Sequence, residues 1–104
     1  MARSYSDKFL QEMDKADPHR AGVALAKACV RANLPAKYVA VVLNVTRMSI
    51  YSWFRGKPIR DKNQQAAEMF TCLIEGDLIR GKLPAKNLDE AKKYIEYVIE
   101  QPLK

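Results

Sequence analysis

Leu34-Pro35-Ala36-Lys37-Tyr38-Val39-Ala40-Val41-Val42-Leu43-Asn44-Val45-Thr46-Arg47-Met48-Ser49-Ile50-Tyr51-Ser52-Trp53-Phe54-Arg55-Gly56 spells out a helix, a tight turn and a second helix. Pro35 is tolerated at a helix start, where a backbone N–H has no intrahelical partner anyway. Val39, Val42 and Leu43 follow at helical spacing and give residues 35–43 one apolar face. Ala40 between them is small, as close approach of two helices joined by a short turn requires. Asn44 falls where the chain must reverse, and Asn is second only to Gly in accepting a left-handed backbone. Val45 is an apolar plug in the turn. Thr46 is a good N-cap for a helix over 46–55. Ile50 and Trp53, three residues apart, anchor that helix to a core. Gly56 and Pro58 then end it.

Outward from this stretch, the remaining chain reads as further helices. Residues 5–16 place Phe9, Leu10 and Met13 on one face, with Ser4 or Ser6 as N-cap, and Asp17-Pro18 marks a break. Residues 19–33 carry Leu25, Ala28, Cys29 and Ala32 at helical spacing, with Arg20, Lys27 and Arg31 elsewhere on the surface. Residues 61–79 form a core helix through Ala66, Met69, Phe70, Leu73 and Ile74. Residues 88–101 form a terminal helix with Ala91, Ile95, Val98 and Ile99 on one side, stopped by Pro102. No strand is compelling, although Tyr38 to Val45 is rich in β-branched residues and opposes the helical assignment there. The expected fold is all-α: one domain of five to six helices over residues 1–104, with 5–16 and 88–101 as accessory or oligomerisation elements.

Residues 34–56 resemble the lambda-repressor-like, Cro-type helix-turn-helix domain of bacterial and phage proteins. The pattern shared with that family is Ala40, Leu43, Val45, Thr46, Arg47, Ile50, Trp53 and Gly56, matched without a gap. Two positions depart from it. The family usually has Gly where Asn44 stands, and often Gln, reaching a phosphate, where Ala36 stands. The resemblance implies sequence-specific binding of double-stranded DNA, with residues 46–55 in the major groove. It also implies a homodimer on palindromic sites, with half-sites about 34 Å apart.

In that geometry the N-terminal part of the second helix faces the base edges. Arg47, Met48, Tyr51 and Ser52 are the expected base contacts. Arg47 suits the O6 and N7 acceptors of guanine, and Met48 suits a thymine methyl. Ser52 bonds to several bases, and Tyr51 either meets the sugar-phosphate wall or packs under the N-terminal helix. Lys37, Thr46, Arg55, Lys57, Arg60 and Lys62 are the expected phosphate contacts, which set position and affinity rather than sequence. Tyr94, Ile95, Tyr97, Val98 and Ile99, with Leu88, form the expected oligomer interface. The alternative for them is packing inside the chain.

The charge distribution agrees with a polyanionic partner. The net charge is +6, and residues 20–62 hold nine basic side chains against one acid, Asp61. Each flanking segment has one acid more than it has bases. Such segregation marks a binding surface rather than an evenly solvated one.

Other functions find little material. One histidine, no Gly-rich phosphate loop, no metal-ligand spacing and no elbow serine argue against an enzyme, a metal or a cofactor. Lone His19 reads as exposed and inert, and Asp7, Glu12, Asp14 and Asp17 as a solvated face. No small-molecule site is evident. No run approaches the roughly 18 apolar residues that span a membrane. The polar stretch from Ala2 to Lys8 does not resemble a secretory leader, and Cys29 and Cys72 read as reduced core cysteines, so a cytoplasmic setting is expected. The leading expectation is a small transcriptional repressor. The alternatives are a DNA-binding assembly protein with weak sequence preference, serving packaging, replication or recombination, and a protein-binding helical module.

Overall fold

The computed structural model describes residues 5–17 and 19–103. Within them the chain forms α1 (Asp7–Lys15), α2 (Ala21–Ala32), α3 (Ala36–Leu43), α4 (Arg47–Phe54), α5 (Asp61–Ile79) and α6 (Leu88–Ile99), with no strand among the described residues. Each expected helix is present. Most ends differ by no more than a cap residue, but α1 and α2 each begin two residues later than expected, and α6 stops at Ile99, short of residue 101.

Local chemistry sets the ends. The Ser6 hydroxyl accepts from the Phe9 N–H at 3.2 Å and caps α1, with Asp7 in the first turn, where the helix dipole favours an anion. Ser4 and Pro18 lie outside the described residues. α2 ends at Asn33, whose φ of 58° is left-handed. Asn33 N–H donates to Val30 O and Leu34 N–H to Cys29 O, the paired closure of a Schellman motif. The Asn87 side chain accepts from Glu90 N–H at 2.9 Å, and the Glu90 carboxylate accepts in return from Lys86 N–H. α6 ends at Glu100, with φ 58°, ahead of the expected proline stop.

α2 is the central element. It packs most extensively on α5 and α4, while α3 bridges α4 and α6. Leu25, Leu34, Val39, Ile50, Phe54, Ile74 and Ile95 are fully buried in the shared core. Burying each such side chain contributes about 1.5–3 kcal/mol. The β-branched run in α3 is helical because its inward residues, Val39 above all, are buried against these neighbours, and packing overrides local preference.

α5 corrects one expectation. Phe70 and Ile74 face inward as expected, but Ala66, Met69 and Leu73 face outward, and Ala67 takes the core position. Cys72 is exposed as well, so only Cys29 is a core cysteine. The helix carries apolar residues on two adjacent stripes. The inner stripe includes Thr71 and Asp77, whose polar groups are all satisfied. Thr71 Oγ1 donates to Ala67 O at 2.9 Å. Asp77 accepts from Tyr94 at 2.6 Å and from Arg80 at 3.0 Å. Buried polar groups with partners cost little, so this stripe faces the core in spite of Thr71 and Asp77.

The terminal helix brings a second correction. Ile95 is fully buried within the chain, and Val98 and Ile99 pack against the same core. Ile95 is therefore not part of an outward oligomer surface. Tyr94 is half-buried and bound to Asp77, which leaves Tyr97 as the well-exposed member of the expected set.

Candidate nucleic-acid interface

The turn between α3 and α4 is built by its backbone. Asn44 has φ 56° and ψ 48°. Its N–H donates to Val41 O at 3.3 Å, and Val45 N–H donates to Ala40 O at 3.1 Å. This is a second Schellman closure, with Asn in the left-handed position and Val45 half-buried as its apolar follower. Thr46 turns extended, and its hydroxyl accepts from Ser49 N–H at 3.1 Å. The same hydroxyl contacts Ser49 Oγ at 3.1 Å, so a phosphate at Thr46 would share it with the cap.

Three side chains fix the inner face of α4: Ile50, Trp53 and Phe54. One backbone contact fixes its depth. A Cβ on Gly22 of α2 would stand 2.3 Å from the Trp53 carbonyl oxygen, so only glycine lets the two helices meet at this separation. The sequence pattern did not single out Gly22. Its signal is a glycine inside a helix otherwise rich in alanine, which costs stability unless close approach needs it.

The outer face of α4 presents Arg47, Met48, Ser52 and Arg55, with Met48 80% exposed. Tyr51 takes the inward alternative. Its ring meets Phe9 edge-on, with centroids 5.5 Å apart. Phe9 in turn stacks with Tyr5 at 5.5 Å, and Tyr5 donates its hydroxyl to Leu34 O. Burial pushes the Tyr5 phenol well above its usual range. α1 thus lies along one flank of α4. Between them runs a groove of about 430 Å³, lined by Tyr5, Ser6, Phe9, Met48, Tyr51, Ser52 and Arg55.

The expected phosphate contacts divide. Arg55 Nε donates to Glu12 of α1 at 3.1 Å, and its guanidinium lies 5.7 Å from the Phe9 ring centre. Lys37, Arg47, Lys57, Arg60 and Lys62 are exposed and have no carboxylate within ion-pair distance among the described residues. Lys37 lies over the Tyr38 ring at 5.1 Å. Gly56, with φ 99°, turns the chain out of α4 so that Lys57, Arg60 and Lys62 lead into α5. Lys57 and Arg20 line a pocket of about 230 Å³ beside the start of α2.

The charge excess does not all lie beside α4. Ala24, Lys27 and Arg31 share one face of α2 at helical spacing, about half a turn around the helix from Gly22. Gly22 faces α4, so Lys27 and Arg31 face away from it. A charge count along the chain merges these two surfaces, and the fold separates them.

The chain matches no protein-family model, no curated protein and no solved structure. The all-helical fold stands on its own geometry. No helix among the described residues is long and apolar enough to cross a membrane.

Proposed function

We propose that this chain binds double-stranded DNA with α4 in the major groove, as a small cytoplasmic transcriptional regulator of the repressor kind. The proposal rests on the lambda-repressor-like resemblance of residues 34–56. One observation carries it: the Asn44–Val45 closure and the Thr46 cap present an α4 whose first turn projects Arg47 and Met48 into solvent. Arg47 reads a guanine, Met48 a thymine methyl, and Ser52 adds a less selective bond. Lys37, Lys57, Arg60 and Lys62 bind phosphates. The working form is a homodimer on a palindrome, with Tyr97 of α6 at the contact. The role is binding rather than catalysis, with no metal, cofactor, small molecule or membrane involved.

Titration of a labelled duplex against salt tests this. Four phosphate-binding cations in each protomer predict a log–log slope of roughly −3.6 for one protomer and about −7 for the dimer. A slope near zero removes DNA from the account and leaves a protein-binding module. Tight, salt-dependent binding without sequence preference favours the second reading, an assembly protein for packaging, replication or recombination. The basic face on α2, remote from the base-reading helix, is the observation that keeps that reading in play.

A further inference from the structure

α1 stands beside α4, not behind it. The two helices run in the same direction: Phe9 meets Tyr51 edge-on, Glu12 accepts from Arg55 Nε at 3.1 Å, and a Cβ at Gly56 would meet the Ala16 Cβ at 3.6 Å. Arg55 lies on the outer face of α4, so the Glu12 edge of α1 opens on the same side as the base-reading residues. Lys8 and Lys15 stand one helical turn before and after Glu12, in the same row. Both are exposed, and neither has an ion-pair partner among the described residues. Asp7 and Asp14 fall on the opposite side of α1 from Phe9 and Glu12. The Ser6 hydroxyl accepts from Phe9 N–H, which leaves its own proton to donate at the groove between α1 and α4.

We propose that the edge of α1 bearing Lys8 and Lys15 is a phosphate-binding wall for the same duplex that α4 enters, and that one sugar-phosphate strand runs in the groove between the two helices. The inference rests on the reading that α4 binds DNA. The major groove is about 12 Å wide, and an α-helix with its side chains is about 10–12 Å across, so the groove takes α4 alone. Helices packed side by side keep their axes about 8–10 Å apart. A helix beside α4 therefore lies over the edge of the groove, where a backbone strand runs. The charges fit that partner. Lys8 and Lys15 lie about 10 Å apart along α1, and a strand carries one phosphate for about every 3.4 Å of duplex axis. Glu12, the one acid in the row, is held by Arg55, so the row meets the strand with three cations against one carboxylate. Phe9 and Tyr51 give the groove of about 430 Å³ an apolar floor on which a deoxyribose can lie, and Ser6 donates to a phosphate oxygen. Such contacts carry no base preference. They add affinity and fix how α4 lies in the groove.

The test titrates the full chain onto labelled duplexes of several sequences over a range of salt concentrations. The double variant K8Q and K15Q is expected to bind roughly tenfold more weakly on every sequence alike, with a log–log salt slope shallower by about 1.8 for each protomer. The charge-preserving double variant K8R and K15R is expected to keep the wild-type slope. Both positions are exposed, so the thermal midpoints of all three proteins are expected to agree. An unchanged slope in K8Q and K15Q overturns the proposal. So does a loss confined to particular base positions, which makes the lysines base readers, and so does a slope that stays shallow in K8R and K15R. If the wild-type protein binds no duplex, the reading of α4 fails first, and the wall on α1 fails with it. If the wild type binds with a steep slope that the K8Q and K15Q variant shares, α4 keeps its role and the wall alone fails.

Discussion

Gly22 lies so close beneath Trp53 that a single added methyl group would sit 2.3 Å from the Trp53 carbonyl oxygen. The α2–α4 distance is set by the absence of a side chain. Backbone cannot swing aside as a flexible side chain can, so Gly22→Ala forces the helices apart despite the better helix propensity of alanine. The expected cost is about 1–3 kcal/mol. In a chain of 104 residues this lowers the melting temperature by roughly 4–8 °C for each kcal/mol. Thermal unfolding followed by circular dichroism checks it, and an unchanged or raised midpoint would show that the helices are not held at this distance.

The turn residues give opposite signs at neighbouring positions. Asn44 holds a left-handed backbone, so Asn44→Gly is expected to be neutral or slightly stabilising. Asn44→Val is expected to cost at least about 1–2 kcal/mol. Thr46→Ala removes the cap on Ser49 N–H and costs about 1 kcal/mol. Denaturant midpoints for the three variants check the order.

The Glu12–Arg55 pair predicts a gain. Glu12 occupies the Arg55 guanidinium at 3.1 Å, and both side chains are about half exposed, so the pair itself adds no more than about 1 kcal/mol to stability. Glu12→Gln frees Arg55 for a phosphate. The expected result is DNA binding tightened a few-fold, with a salt slope steeper by about 0.9. A weaker complex or an unchanged slope would show that Arg55 does not reach the backbone.

How much of this was legible beforehand follows from the kind of signal each feature leaves. The turn was legible residue by residue, because a left-handed position, a cap and an apolar plug each demand particular side chains. Helix α5 was placed correctly, and its inward face was read in part: Phe70 and Ile74 are buried as expected, while Ala66, Met69 and Leu73 give way to Ala67, Thr71 and Asp77, whose polar groups find their partners only in the folded chain. The inward turn of Tyr51 and the Glu12–Arg55 pair depend on where α1 packs, which periodicity does not encode. The split of the basic residues between α4 and the far side of α2 likewise needs the helix packing, since the two sets are interleaved along the chain.

The two cysteines separate chemically. Burial pushes the Cys29 thiol far above its usual range, whereas Cys72 stands in solvent on α5. A thiol reagent is expected to label one site quickly in the native protein and the second only on the timescale of unfolding. Cys72→Ser should abolish the fast phase alone. Two fast phases would contradict the burial of Cys29.

The tyrosines predict the alkaline limit. Burial and then the bond to Asp77 raise the Tyr94 phenol, and burial raises Tyr5. In the unfolded chain a tyrosine ionises near pH 10, while in the folded chain both stay protonated to higher pH. Folding therefore binds protons above about pH 10, and their contribution is complete below that pH and lost above it. Denaturant titrations between neutral pH and pH 11 should show a stability loss beginning near pH 10. Tyr94→Phe should reduce that slope and cost about 1–2 kcal/mol at neutral pH, by leaving the buried Asp77 to Arg80 alone.

The central claim is that α4 reads base edges through Arg47. Selection from a random duplex pool at near-physiological salt, run in parallel with wild-type protein and Arg47→Ala, tests it most directly. The account predicts an enriched palindrome with a fixed guanine in each half-site for the wild type, and loss of preference at that one position for the variant. Enrichment of no motif, or an Arg47→Ala variant that weakens on every sequence equally, would contradict it.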